Sequence, residues 1–369
     1  MKHSWLLLLA TALFLPACSD PRPADGERTQ DSPVNHILLR DFAPTVINNI
    51  PVTRVERARF DIIDMHSHDY TSNPEEIAQW VRVMDSVGVL NTAVMHCSWI
   101  GRPFEEFVQA YEPYKDRFRF WCCFDYTGID TDEWPAAGIA ALERCHDLGA
   151  VGIGEMGDKG EGDTYARPAD GTGIHIDDPR LRPLLAKCAE LRMPVSIHIA
   201  EPYWMYLPMD ETNDGLVNAV TWHVDTADCY GYDRLINSFE NAVRDNPATI
   251  FIACHYLNMN HDLPRLASLL DKYPNMYFDI SARVAESAHT PRATRDFLIR
   301  YQDRVLFGTD NGTEPSMYHN IFRVLETNDE HFYVPEYGYH WPLSALNLPD
   351  DVLRKLYHDN AERILTQYR

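Results

Sequence analysis

The chain is 369 residues long, 45% of them apolar, with a formal net charge of −22. That length suits one large α/β domain rather than a small module, and the apolar share is that of a globular protein with a sizeable core. The acidic balance excludes nucleic-acid binding through a general basic surface, and no run of Lys and Arg supplies a local one.

Residues 1–17 read as a targeting signal. Lys2 gives a positive start, Trp5 to Leu15 is an apolar run too short to span a bilayer comfortably, and Leu15-Pro16-Ala17-Cys18 follows. This resembles a bacterial lipobox, with Pro16 an unusual residue at its place. The expectation is an exported lipoprotein, acylated at Cys18 and held to a membrane through that lipid anchor only. Ser19 after the Cys favours the periplasmic face of the outer membrane over the inner membrane. The alternative is an ordinary signal peptide cut after Ala17, with Cys18 a free thiol. Residues 18–56 then form a tether and an N-terminal extended segment, the part from Ile37 to Arg57 broken by Pro44 and Pro51 and expected to lie over the domain surface. Seven further cysteines, an odd number with no zinc-ribbon C-x-x-C spacing, read mostly as buried small hydrophobes.

Residues 57–369 alternate between short apolar runs and amphipathic stretches. Strands are predicted at Phe60–Met65, Asn91–His96, Phe118–Phe124, Ala150–Gly154, Pro194–Ile199, Thr249–Cys254, Met276–Ile280 and Val305–Gly308. Helices are predicted at Pro74–Val87, Asp177–Arg192, Asp262–Tyr273 and Arg292–Tyr301, with a closing helix at Pro349–Leu365. Near-continuous apolar strands joined by helices imply a parallel sheet buried on both faces, and eight such units imply a (β/α)8 TIM barrel. A doubly wound open sheet would want a Gly-rich turn after the first strand, where His66-Ser67-His68 stands instead.

The chemistry-bearing residues fall at the predicted strand ends, where a TIM barrel collects its active site. The first strand ends in Asp64-Met65-His66-Ser67-His68, and residues two apart on a strand point the same way. The fourth ends at Glu155, the fifth carries His198, the sixth runs into His255, and the eighth ends in Gly308-Thr309-Asp310. Imidazole and carboxylate donors without thiolate suit zinc, manganese or ferrous iron. Each position has a plainer reading: a structural pair for His66 and His68, core positions for His198 and His255, a helix cap for Asp310. Glu155 either bridges two metals or pairs with Lys159. Arg283 either clamps a substrate carboxylate or pairs with Asp279 or a helix end. His96 ends the second strand, in the core or at the pocket. The long aromatic segment from Tyr203 to Tyr232, with Tyr203 and Trp204 as substrate-binding candidates, reads as a lid or binding loop whose rings stack on a sugar or aromatic substrate or pack on each other.

The phrases Ile63-Asp64-Met65-His66-Ser67-His68, Pro194-Val195-Ser196-Ile197-His198 and Leu306-Phe307-Gly308-Thr309-Asp310 resemble the amidohydrolase superfamily, in its amidohydrolase-related branch. The resemblance covers about residue 57 to the C-terminus. It implies one or two divalent ions, zinc foremost, on His66, His68, His198 and Asp310, with Glu155 and His255 joining in a two-metal site. It is specific for superfamily and not for substrate, since hydrolases, lactonases and nonoxidative decarboxylases share it. The first reading is a hydrolase of small molecules in which the metal lowers the pKa of water and Asp310 carries the proton away, with His255 as second ligand or oxyanion partner. The second is a metal-dependent decarboxylase, in which Arg283 orients a carboxylate and His255 handles the proton. The third is a non-catalytic metal- or ligand-binding surface lipoprotein. A phosphoesterase opening on a D-x-H-x-H strand leaves the Gly308-Thr309-Asp310 ending without a purpose.

Overall fold

The computed structural model describes residues 32–96, 103–165 and 173–367. Cys18 and the targeting segment lie outside the described residues. The chain divides into two compact units, residues 1–42 and 43–369. In the first, the described residues form short 3-10 turns at Pro33–His36 and Leu39–Asp41. The stretch expected to be extended from Ile37 is extended at Ile37 and Leu38 and then turns at Leu39–Asp41. Among the described residues no helix is long and apolar enough to cross a membrane.

The second unit holds eight parallel strands in sequential order: β1 Ile62–His68, β2 Val89–Met95, β3 Phe118–Cys122, β4 Ala150–Asp158, β5 Val195–Ile199, β6 Phe251–Ala253, β7 Met276–Asp279 and β8 Val305–Leu306. The ladder closes on itself: Met65 N–H donates to the Phe307 carbonyl at 2.8 Å and Thr309 N–H to the His66 carbonyl at 3.2 Å. Asp64 ties the same seam, accepting from Thr309 N–H at 3.2 Å and Thr309 Oγ1 at 2.8 Å. The eight expected strands are all present, and their order and direction are those of a TIM barrel. Their ends moved where it matters: β1 runs on through His68 and β4 through Asp158.

Both extended strands are irregular. The β1–β2 register shifts between Asp64 and Ser67, and the β4–β5 register shifts between Ile153 and Met156. A bulge re-aims the side chains beside it, here His66 and Glu155.

The helix Pro74–Val87 matches its prediction because every local signal agrees. Asn73 caps it through a 2.9 Å bond from Glu75 N–H, Pro74 opens it, and Gly88 ends it at φ 95°. Its buried positions Ile77, Trp80, Val81, Met84 and Val87 follow helical spacing. Asp262 likewise caps Leu263–Lys272 through Arg265 N–H. The expected helix at Asp177–Arg192 is a 3-10 turn, Pro179–Leu181, running into Arg182–Leu191. The C-terminal helix runs from Asp350 to Gln367 through a π turn at Lys355–Asp359. Side chains fill the barrel: Ile63, Met65, Ala93, Met95, Trp121, Ile252 and Leu306 form one cluster, joined by Ala361 and Ile364 from the last helix. The chemistry is thereby confined to the carboxyl ends of the strands.

Among the described residues, Cys122, Cys188 and Cys254 are buried, whereas Cys123, Cys145 and Cys229 are partly exposed. Burial as small hydrophobes thus describes three of them.

Candidate metal centre

The structure brings His66, His68, Glu155, His198, His255 and Asp310 together at the carboxyl end of the barrel. Glu155 is the hub. Its Oε1 lies 3.5 Å from His66 Nε2, 3.3 Å from His198 Nδ1 and 3.2 Å from His255 Nε2, and its Oε2 lies 3.6 Å from His68 Nε2. Asp310 Oδ1 is 3.0 Å from His68 Nε2, and its Oδ2 is 3.8 Å from His255 Nε2. Ligand atoms about 2.0–2.1 Å from a zinc ion stand about 3.3 Å apart at tetrahedral angles. The observed spacings are those of neighbours in a coordination shell. Two triads, His66/His68/Asp310 and His66/Glu155/His255, each hold their ligand atoms within 4.8 Å of one another.

Three of the imidazoles are fixed from behind by groups that can only accept. His66 Nδ1 faces Asp279 Oδ2 at 2.9 Å, His198 Nε2 faces Glu201 Oε2 at 3.3 Å, and His255 Nδ1 faces the Ser281 carbonyl at 2.8 Å. Each outer nitrogen therefore keeps its proton, and the inner nitrogen is the one left to take a second proton or a metal ion. His66 Nε2 is fully buried with no hydrogen-bond partner among the described residues. An orphaned buried acceptor is costly, and a cation is the partner that this donor set fits.

The local field agrees. Burial opposes charge on His66, but Asp279, Asp310 and Glu155 outweigh it and raise its pKa to about 9. Burial likewise opposes the Asp310 carboxylate, yet His66, His68 and His255 hold its pKa down at about 2. Glu155 is held well below the usual carboxylate range against its burial, by His66, His198 and His255. His255 moves the other way: burial, and then the neighbouring His198, lower its pKa. Positive charge among these carboxylates is what the site favours, whether protons or a metal supply it.

The backbone at the barrel mouth is bent to aim these groups. His255, Tyr256, Leu257 and Asn258 all have φ between 52° and 60°, and Ala200, Ala282 and Asp310 share that left-handed region. Each such non-glycine residue costs about 1–2 kcal/mol, and such strain gathers at functional sites. Asn258 holds its turn in place, donating to the Ile199 and Ala200 carbonyls at 3.1 and 3.0 Å and accepting from Arg283 Nε at 2.8 Å. Gly308 lets the seam close behind the site: a Cβ there would stand 2.7 Å from His66 Cβ and 3.1 Å from Ser281 Cβ.

A cavity of about 540 Å³ opens over the cluster, lined by His198, His255 and Asp310 and walled by Trp204, Trp222, Tyr337 and Tyr339. Arg283 lines it too. Arg283 does not pair with Asp279; its guanidinium stands 3.7 Å from Glu201 and 3.9 Å from Glu286. Lys159 pairs with Glu201 rather than Glu155. Of the two aromatic candidates, Trp204 lines this cavity, and Tyr203 lines a neighbouring one while stacking on His261. The segment containing them forms a 3-10 turn at Tyr203–Tyr206 and a helix at Leu216–Trp222. His96 packs in the core, stacked on Phe107 with its Nδ1 3.1 Å from Asp69. Sequence reading missed Asp279, Ser281 and Glu201 as partners of the imidazoles. The signal for Asp279 was available, because it is an acid at a strand end, like Glu155 and Asp310.

A barrel with four imidazoles and two carboxylates at its mouth defines a TIM-barrel protein with a cluster that could hold a metal ion. The sequence profile of the family described as Amidohydrolase matches residues 63–366, and the chain belongs to that family. Comparison with proteins of curated function returns no match. Among solved structures, a protein described as amidohydrolase II is 16% identical, with 83% of this chain and 100% of that one covered and a TM-score of 0.52. A TIM-barrel protein from Bordetella bronchiseptica is 16% identical over 84% and 99% of the two chains, with a TM-score of 0.50. A 2,6-dihydroxybenzoate decarboxylase from Rhizobium is 14% identical over 84% and 99%, also at 0.50. At these identities the likeness is one of fold.

Proposed function

We propose that the chain is a metal-dependent hydrolase that activates water for attack on a carbonyl-type bond (amide, ester or lactone) of a small molecule. The observation that carries this reading is the position of Glu155 among the imidazoles, with Oε1 facing His66, His198 and His255 and Oε2 facing His68, which with His66 and Asp310 makes a second triad. A carboxylate placed so suits a bridge between two ions, an arrangement that favours water activation. Divalent cations held there, zinc foremost, would lower the pKa of water and polarise the carbonyl under attack.

The chain's own groups divide the remaining work. Asp310, kept ionised by its imidazole neighbours, lines the cavity and takes the water proton at the carboxylate oxygen not turned to a metal. His255 is neutral, and its one N–H is spent on the Ser281 carbonyl. It therefore serves as a ligand rather than as a donor to an oxyanion. Arg283 orients polar substrate groups from the cavity wall.

A decarboxylase is the second reading, and the presence of Arg283 in the cavity wall favours it. Metal content of the purified, tag-free protein lacking residues 1–18 tests the choice, paired with a screen of lactones, amides, esters and aromatic carboxylates. Two ions per chain with turnover of a carbonyl substrate is the expected result. One ion with release of carbon dioxide from an aromatic carboxylate would replace the hydrolase reading. Bound metal with no turnover across the screen would leave a binding protein. Export as a Cys18-acylated lipoprotein remains part of this proposal.

A further inference from the structure

We propose that a second cavity, beside the catalytic one, is a binding pocket for a single neutral, hydroxyl-rich ring such as a pyranose or cyclic polyol. Its use as a substrate subsite rests on the hydrolase reading; its binding chemistry does not. The cavity measures about 270 Å³ and shares Pro202, Trp204 and Arg283 with the catalytic cavity as a common wall. That is just below the usual range for small-molecule sites and leaves room for one ring-sized group.

Four lining residues carry buried polar atoms without a hydrogen-bond partner among the described residues: Glu286 Oε2, Trp341 Nε1, Trp204 Nε1 and Asn260 Oδ1. Glu286 has only 10% of its side chain exposed; its Oε1 accepts from the Tyr339 hydroxyl and its Oε2 accepts from nothing. Trp341 packs against Tyr339 at 4.1 Å and His289 at 4.5 Å, so its edge, where the indole N–H lies, is what remains to offer. Asn260 adds an amide that serves as donor or acceptor.

The pocket thus holds an unpaired acceptor and an unpaired donor, and the ligand must meet both. A carboxylate would be repelled by Glu286 and leave Oε2 unmet. An ammonium would satisfy Glu286 but not the Trp341 N–H, and would stand close to Arg283, whose Nε is 3.9 Å from Glu286 Oε1. An apolar group would leave both unmet and gain nothing from them. A hydroxyl donates and accepts at once, and Leu207 with the stacked Tyr203 and His261 supplies apolar wall for the carbon face of a ring.

The test is a ligand-observed NMR titration of the full chain with its metal, using methyl glucopyranoside, its glucuronate counterpart and cyclohexylammonium. The pyranoside should bind best, by about tenfold or more, and Glu286→Gln and Trp341→Phe should each weaken it about tenfold, the size of one lost buried hydrogen bond. Metal content and turnover on a simple ester should stay unchanged in both variants. Trp341→Phe keeps the ring and carries the test should Glu286→Gln fail to fold. Strongest binding by cyclohexylammonium or by the glucuronate overturns the proposal. So does pyranoside binding that both variants retain, or none up to about 0.1 M. Pyranoside binding by a protein without hydrolytic activity would sink the hydrolase reading alone.

Discussion

Asp279 Oδ2 lies 2.9 Å from His66 Nδ1, and that contact decides which nitrogen of His66 faces the candidate metal centre. The same carboxylate accepts from His255 N–H through Oδ1 at 2.9 Å. One buried residue at the end of β7 therefore sets the orientation of a ligand on β1 and the backbone of a ligand after β6.

Asp279→Asn should consequently weaken metal binding without removing any ligand. The expected loss is about 10–100-fold in affinity, the usual effect of deleting a partner behind a ligating imidazole. Competition against a chelator measures it, with activity recovering at saturating metal. Unchanged affinity would show that the contact does not govern the tautomer.

Asp310→Asn and His66→Ala should fail differently. The Asn variant keeps shape and an oxygen donor but loses the basic carboxylate, so it should retain substantial metal while kcat drops by about 10²–10⁴-fold. His66→Ala should lose metal, and added metal should restore only part of the activity. Near-wild-type turnover in Asp310→Asn would remove Asp310 from the mechanism.

The pH dependence of stability should change with metal. The pKa of His66 is raised from 6.5 to about 9 by its carboxylate neighbours against burial. In metal-free protein, the stability it contributes is full below pH 6.5 and is lost as the pH rises through 9. Melting temperature should fall across that window without metal. Stabilisation by added zinc should grow across it, because protons no longer compete for Nε2. A metal-induced shift that stays flat over this range would contradict the site's charge balance.

Gly308→Ala should destabilise the fold by about 1–3 kcal/mol, the range for overpacking a closed core. The new methyl would meet His66 Cβ and Ser281 Cβ, both fixed at the β8–β1 seam. Urea denaturation reads the stability, and metal content should fall with it because His66 must move. A variant as stable as wild type would mean the seam yields more easily than its hydrogen bonds imply.

Labelled palmitate should enter the full chain expressed in bacteria, and Cys18→Ser should abolish it. Wild-type protein that stays unlabelled and leaves membranes without detergent would rule out the anchor.

The alternation of apolar runs and amphipathic stretches was enough to specify eight strands and their parallel order, because burial on both faces leaves a plain compositional trace. The convergence of His66, His68, His198, His255 and Asp310 was legible for the same reason: where strand-end side chains meet follows from local pattern and barrel geometry. Glu155 was ambiguous until the fold set it among imidazoles from β1, β5 and the turn after β6, aimed by a register shift that no composition records. Asp279 was visible as an acid at a strand end, but its partner was not, since Asp279 and His66 are 213 positions apart; Glu201 stands only three residues after His198, in a loop whose course the local pattern does not give. Arg283 and Lys159 turned to Glu201, 82 and 42 positions from it (283 − 201 and 201 − 159), rather than to the acids first considered. Periodicity and strand-end chemistry are local and survive in one dimension; which acceptor fixes which imidazole is settled only when distant strands become neighbours around the closed barrel.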